Sequence, residues 1–328
     1  MVKTKTLLVL GAVITLYLSF LSLFGELGVD GGGYLTISQG ILRGQLPYLD
    51  FIDHKPPGIY YIFALFLSIW NSIWMIKISL IVINLSTAFV IYLIATKLWN
   101  EYTGVIAGLF YLTGLIIYNG HMVLTEPFMA FFISLSLLGY VLFHQSKEPK
   151  YLFFTGMMIG IAAIIKQPVV FLIIGLMLCM NLKIQTRNLK NNIYLLSGVS
   201  IPIIITITYF YLNGVVDDLI FNIFYLNTGF YKVSGVAEFF YYNLLENFYL
   251  FPLLWALAIY GMATATRHWR PTNPLLMISI LMIVSFAPVM TGHGASYYIG
   301  ILPFASLLAA YVSGCSLSVI GKNQKTFA

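Results

Sequence analysis

Apolar runs close to the length of a bilayer-spanning helix, set apart by short polar breaks, recur along nearly the whole 328-residue sequence. A helix needs about 20 mostly apolar residues to cross the hydrocarbon core. Against that requirement the runs predict helices near 6–24, 75–96, 103–118, 127–143, 152–166, 168–182, 192–212, 249–266, 275–290 and 299–318. Composition agrees: 60% of residues are hydrophobic and 9% charged, where a soluble domain carries about a quarter charged residues. The expected fold is an all-α polytopic membrane protein of about ten transmembrane helices, forming one domain over 1–328 with no internal repeat and no separate soluble domain. Lys3 and Lys5 precede the first run, but it is long enough to span and lacks a convincing cleavage site, so it reads as a retained helix.

Charge sets the expected topology. The segment 58–70 is apolar, brief, and follows Pro56-Pro57 directly, so it reads either as a true span or as an interfacial or re-entrant helix. If it does not cross, Lys3, Lys5, Lys97, Lys147, Lys150, Lys183, Arg187, Lys190, Arg267, Arg270, Lys322 and Lys325 fall inside. Arg43, Lys55, Lys77, Lys166 and Lys232 fall outside. Twelve against five is the bias of the positive-inside rule, and a crossing at 58–70 would invert it. Ten spans with both termini cytoplasmic follow, in a multi-pass protein of the cell membrane. Nine of the eleven acids then lie outside, so the polar work is external. The net charge of +6 comes from scattered cations rather than one basic face, which argues for topological anchors and against a nucleic-acid partner. Cys179 and Cys315 both lie in apolar runs, so neither a disulfide framework nor a thiolate metal site is expected.

The first outer loop concentrates ionisable groups in an otherwise apolar chain. Asp30 sits in Gly28-Val-Asp-Gly-Gly-Gly-Tyr34, ahead of a short amphipathic pattern over Tyr34 to Arg43 that predicts an interfacial helix. Asp30 reads as a cap or turn residue, or as a carboxylate aimed into an outward cavity. Asp50 and then Asp53-His-Lys-Pro-Pro-Gly58 follow. The prolines suit a helix start, and Lys55 beside His54 suits either a snorkelling cation or a phosphate seat. Glu126, in Thr125-Glu126-Pro127, opens a span on the same side; with Asp30 it makes a general-base pair or a divalent-cation site, unless it is only helix-start chemistry. Lys166, before Gln167-Pro168, is flanked by apolar sequence. A mid-membrane lysine costs about 2.5–3.5 kcal/mol, so a break between two short helices, with Lys166 near the outer surface, is expected. His293, Tyr297 and Tyr298 lie in a last outer loop, where they could bind phosphate or sugar or serve as ordinary interfacial aromatics. The aromatic loop near 213–248 carries the same two readings. Signatures of soluble enzymes, such as a Walker loop, a dinucleotide fingerprint or His-Glu-x-x-His, are absent.

In this order, Asp30, Gly44-Gln-Leu-Pro-Tyr48 with Asp50, Asp53-His-Lys-Pro-Pro57, Thr125-Glu126, Lys166-Gln167, and His293 with Tyr297-Tyr298 resemble the GT-C superfamily of polytopic glycosyltransferases, in its protein O-mannosyltransferase-like and aminoarabinose-transferase-like branch. The resemblance implies transfer of a sugar, with inversion, from a polyprenyl-phosphate carrier to an acceptor hydroxyl on the extracytoplasmic face. It implies Asp30 as the catalytic acid and Glu126 as its support. Arg43, Asp50, Asp53, His54, Lys55, Lys166, Gln167, His293, Tyr297 and Tyr298 are the expected substrate-binding residues. The expected partners are the lipid-linked sugar, the bilayer, and a lipid, glycan or protein acceptor. Metal dependence differs across the wider class, so a divalent cation is left open. The rival class is a transporter or flippase of lipid-linked glycans, which should show paired broken helices in two related halves; no such duplication is evident.

Overall fold

The structure, a computed structural model, describes residues 4–181, 189–227, 245–267, 273–286 and 294–324. It is helical throughout: α1 Thr4–Phe24, α2 Gly28–Leu42, α3 Gly58–Ile69, α4 Ile73–Leu98, α5 Glu101–Ile117, α6 Thr125–Ser146 and α7 Pro149–Ala163. A 3-10 turn over Gln167–Val170 leads into α8 Phe171–Asn181 and α9 Leu189–Leu212. After α10 Val216–Ile220 comes a π turn over Phe221–Tyr225, then α11 Glu246–Leu250, α12 Pro252–Arg267, α13 Pro274–Val284, a 3-10 turn over Ala295–Gly300, and α14 Leu302–Gln324. Every helix expected from the apolar runs is present. Among the described residues there is no strand, only an isolated bridge between Pro47 and Phe51. By length and composition α4, α6 and α9 can each cross a membrane, and α1 with α2 forms a bent pair at 66°. Shorter apolar helices fill the bundle between them.

Packing gives the bundle two ends. Lys77, in the first turns of α4, donates to the Leu23 and Gly25 carbonyls (2.8 Å each), which fixes the start of α4 to the end of α1. At the other end of α4, Gln145 of α6 donates to the Lys97 carbonyl at 3.3 Å. Gly114 packs on Leu302 and Gly314 on Thr103, so α14 runs antiparallel to α5 and ends where α1 begins. Asp30, Asp53 and Glu126 collect at the near end, with Lys55, Lys77 and Lys166. Lys97, Lys147, Lys150 and Arg267 mark the far end. That separation is what the charge argument required.

Helix α3 has 12 residues and is about 18 Å long at 1.5 Å per residue, well short of a hydrocarbon core. Its first amide donates to the Ile164 carbonyl (2.7 Å) at the near end. Its other end turns through Trp70–Ser72 straight into α4, again at the near end. Both ends therefore share one face, and α3 does not cross.

Helices α7 and α9 run parallel and touch backbone to backbone. Gly156 and Gly160 lie on one face of α7 at the four-residue spacing that admits close approach, and Gly198 answers them from α9. A Cβ added at Gly156 would stand 2.0 Å from the Leu195 carbonyl oxygen. Gly156→Ala should therefore push the two helices apart and destabilise the fold by about 1–3 kcal/mol, the usual cost of overpacking. Thermal unfolding in detergent reads this out. Gly32→Ala, where a Cβ would meet nothing within 4 Å, is the matched control and should not lower the midpoint.

Candidate functional site

One sequence expectation is corrected at the start of α2. The helix begins at Gly28, not near Tyr34, so Asp30 lies within its first turn instead of capping it. The residue before the helix, Leu27, contributes no side-chain cap. Asp30 is exposed, and four residues on, the buried Tyr34 aims its hydroxyl at Oδ2 (3.4 Å). This i,i+4 pair follows from helical spacing alone. Carboxylates are favoured in a helix's first turn, where the amide dipoles sum to a partial positive charge.

The loop 43–57 carries the second group of residues back to Asp30. Gly44 adopts φ +85°, which reverses the chain after α2. Asp50 Oδ2 accepts from the Leu46 amide at 2.7 Å and closes the loop on itself. Tyr48, at φ +73°, buries its ring against Phe210 and donates its hydroxyl to the Lys55 carbonyl at 2.7 Å. Burial, then the Asp53 charge, raises the Tyr48 phenol well above its ordinary range, so it remains a donor. The Lys55 amide donates to Asp53 Oδ1 (3.1 Å), a side-chain turn that holds both residues on one side. Two further amides grip the His54 carbonyl: Gln167 Nε2 at 3.3 Å and Asn227 Nδ2 at 3.0 Å. Both also donate to the Ile223 carbonyl. The backbone beneath His54 is thus held from two segments far apart in sequence.

These elements enclose an open cavity of about 360 Å³ at the near end, lined by Val29, Asp30, Gly33, Tyr34, Ile52, Asp53, His54, Lys55 and Leu226. At Gly33 the helix presents bare backbone to it, and an added Cβ would meet nothing within 4 Å. Inside, the Lys55 ammonium lies 2.8 Å from His54 Nε2, and Asp53 Oδ1 lies 3.5 Å from His54 Nδ1. An ammonium has only protons to offer, so Nε2 must present its lone pair and the imidazole proton must sit on Nδ1, facing Asp53. Burial, and next the Lys55 charge, hold this imidazole below its ordinary pKa. The neutral ring is the consistent state.

Glu126 and Lys166 sit behind this cavity rather than in its lining. Helix α7 stops at Ala163 and Lys166 is extended, which is the break expected there. Lys166 nevertheless does not reach open solvent. It is buried, donates to Glu126 Oε1 at 2.5 Å, and lies 3.7 Å from the centre of the Tyr297 ring. Thr125 donates to the other Glu126 oxygen at 3.0 Å. Burial first, then the charges of Asp30, Glu126 and Asp53, keep the Tyr34 hydroxyl protonated. Tyr298 stacks on Tyr118 (5.5 Å) within an aromatic cluster with Phe248, Trp255 and Phe286. It supports the segment that carries Tyr297.

The structure therefore gathers Asp30, Asp53, His54 and Lys55 around one cavity, with the buried Glu126 and Lys166 and the half-buried Tyr297 as a unit next to it. Gln167 braces the backbone. Arg43 and Asp50 are exposed and lie outside the lining, and Asp50 is occupied in closing the 43–57 loop. His293 and the aromatic residues of 228–244 lie outside the described residues. Neither Tyr34 nor Asn227 is expected at the site from sequence, while Tyr48 and Gly33 enter only as members of the Gly44–Tyr48 and Gly28–Tyr34 motifs. Tyr34 was accessible through its spacing from Asp30, whereas nothing in the sequence marks Asn227. Among the described residues no three His, Cys, Asp or Glu side chains group as metal ligands. The Nε2 lone pair of His54 is already engaged by Lys55.

Residues 54–211, just under half of the chain, match the family described as dolichyl-phosphate-mannose-protein mannosyltransferase. Asp30 lies outside that match. No curated protein matches the chain. Among solved structures it is similar to ArnT from Cupriavidus metallidurans bound to undecaprenyl phosphate, at 19% identity and a TM-score of 0.66 over 94% of this chain and 60% of that one. The apo state of the same protein gives a TM-score of 0.70. It is also similar to the oligosaccharyltransferase AglB from Archaeoglobus fulgidus in complex with an inhibitory peptide and a dolichol-phosphate, at 13% identity and a TM-score of 0.60 over 98% of this chain and 51% of that one. The chain thus spans between half and six-tenths of the length of these structures.

Proposed function

From the premise that this chain has the GT-C fold, we propose that it is a membrane glycosyltransferase moving a sugar from a polyprenyl-phosphate donor to an acceptor hydroxyl, with inversion, at the cavity face of the bundle. The observation that carries this reading is one cavity holding an exposed carboxylate, Asp30, and a lysine, Lys55, of opposite catalytic use. In a single displacement the acceptor oxygen forms the new bond to the anomeric carbon as the bond from that carbon to the phosphate oxygen breaks. Asp30 takes the acceptor proton, and the bonding pair leaves on the phosphate. The growing phosphate charge requires fixed cations, and Lys55 faces the space where it would develop. Glu126 supports the site through Tyr34, with its own charge balanced by Lys166. The cavity face is extracytoplasmic in this proposal, because the far end carries the excess of Lys and Arg. Both termini are then cytoplasmic.

The test uses the purified chain in liposomes with a panel of polyprenyl-phosphate hexoses and pentoses and a panel of lipid, glycan and peptide hydroxyl acceptors. Donor consumption is expected with at least one of them. Lys55→Met should raise the donor KM and weaken binding of undecaprenyl phosphate about tenfold or more, as loss of a charge-assisted contact of 1.5–3 kcal/mol implies. Consumption of none of the donors, together with no binding of undecaprenyl phosphate, would refute the proposal.

A further inference from the structure

Lys55 and His54 cannot both be cations in the arrangement they occupy. At 2.8 Å the ammonium donates to Nε2, and a protonated ring would set two cationic donors against each other. Protonation of His54 and departure of Lys55 from it are therefore one event. The same residues line the cavity, so the released ammonium has open space to turn into. The imidazolium left behind keeps its partner, because Nδ1–H already faces Asp53 Oδ1 at 3.5 Å. The backbone under the ring stays fixed by Gln167 and Asn227, so only side chains need move. The charged groups around the ring are Asp53 and Lys55 from its own loop, Asp30 from α2, and Lys166 from the break after α7. Two of these are carboxylates that stabilise an imidazolium, and Lys55 is the nearest cation that opposes it.

We infer that His54 and Lys55 form a proton-linked phosphate grip, in which an entering phosphate draws Lys55 off the ring and His54 takes one proton from solvent to become the second cation of the seat. An incoming phosphate removes the nearest opposing charge from the ring and adds a negative one to the cavity. Both changes favour the imidazolium. In the resting state burial and Lys55 hold the ring neutral. The affinity contributed by His54 accordingly rises as pH falls through the pKa of the phosphate-bound state, and levels off below the lower pKa of the empty state. This rests on the proposed function for the identity of the ligand, a phosphate carried on a polyprenyl lipid.

The experiment is calorimetric titration of the full chain in detergent with undecaprenyl phosphate, in two buffers of different ionisation heat between pH 6.5 and 7.5, so that proton exchange per ligand bound is obtained directly. The lipid phosphate titrates in the same range, with a second pKa near 6. The decisive quantity is therefore the difference between wild type and the non-titrating variants His54→Gln and His54→Asn. Wild type should take up more protons per ligand than either variant, by a substantial fraction of one proton. Inorganic phosphate serves as a second ligand: uptake with both ligands assigns the effect to the phosphate group alone, and uptake with the lipid only assigns it to the lipid-borne phosphate, either of which supports the inference. Equal proton exchange in wild type and in a variant that still binds, with binding lost in Lys55→Met, overturns the grip and leaves the phosphate seat standing. Binding undiminished in Lys55→Met overturns both.

Discussion

Replacing Asp30 with asparagine is expected to reduce sugar transfer by about 10²–10⁴-fold, the range for loss of a positioned general base. The substitution keeps shape and an acceptor oxygen for the Tyr34 hydroxyl, while removing the charge and the basic lone pair. Asp30 is exposed and forms no ion pair among the described residues, so expression and thermal unfolding should stay close to wild type. The loss should fall on kcat, with the affinity for undecaprenyl phosphate little changed, because the proposed phosphate seat is at Lys55 and not at Asp30. Transfer by Asp30→Asn at the wild-type rate would remove this carboxylate from the mechanism. Asp53, in the same cavity with its Oδ1 facing the Lys55 amide and the His54 ring, would then be the carboxylate to test.

The Glu126–Lys166 pair carries the second large expectation, on stability. Both side chains are almost fully buried, with 7% and 5% of their surface exposed. Removing one partner leaves an uncompensated charge, which costs about 3–5 kcal/mol. Glu126→Leu and Lys166→Met should each lower the unfolding midpoint sharply in detergent. The double variant should recover most of the loss, since a buried ion pair is often no more stabilising than apolar side chains of similar size. Activity separates fold from function here. If Glu126 supports the cavity through Tyr34, the refolded double variant remains poor in transfer although it is stable. A double variant that is both stable and fully active would reduce the pair to a structural element.

The sequence determined more of this molecule than its short length of charged motifs suggests. Apolar run length located the long helices, because a chain in lipid must close its backbone hydrogen bonds locally and cannot hide that need in its pattern; it missed the true start of α2 at Gly28 and the short α10. The surplus of Lys and Arg at one set of helix ends separated the two faces, and it read α3 correctly as a helix that does not cross. The near-end clustering of Asp30, Asp53, His54, Lys55 and Glu126 was also legible, since charge beside a membrane is costly enough to be informative on its own.

What lay beyond the sequence is who faces whom. Glu126 and Lys166 are 40 residues apart, and no local rule pairs them; helix packing does, and it turns a lysine expected near the surface into a buried partner. Asn227 reaches the His54 carbonyl across 173 residues. The ring state of His54 follows only from its distances to Asp53 and Lys55. Local pattern depends on the solvent each residue meets, which a sequence encodes residue by residue. Partnership depends on how whole helices are placed, and that is decided by the tertiary structure.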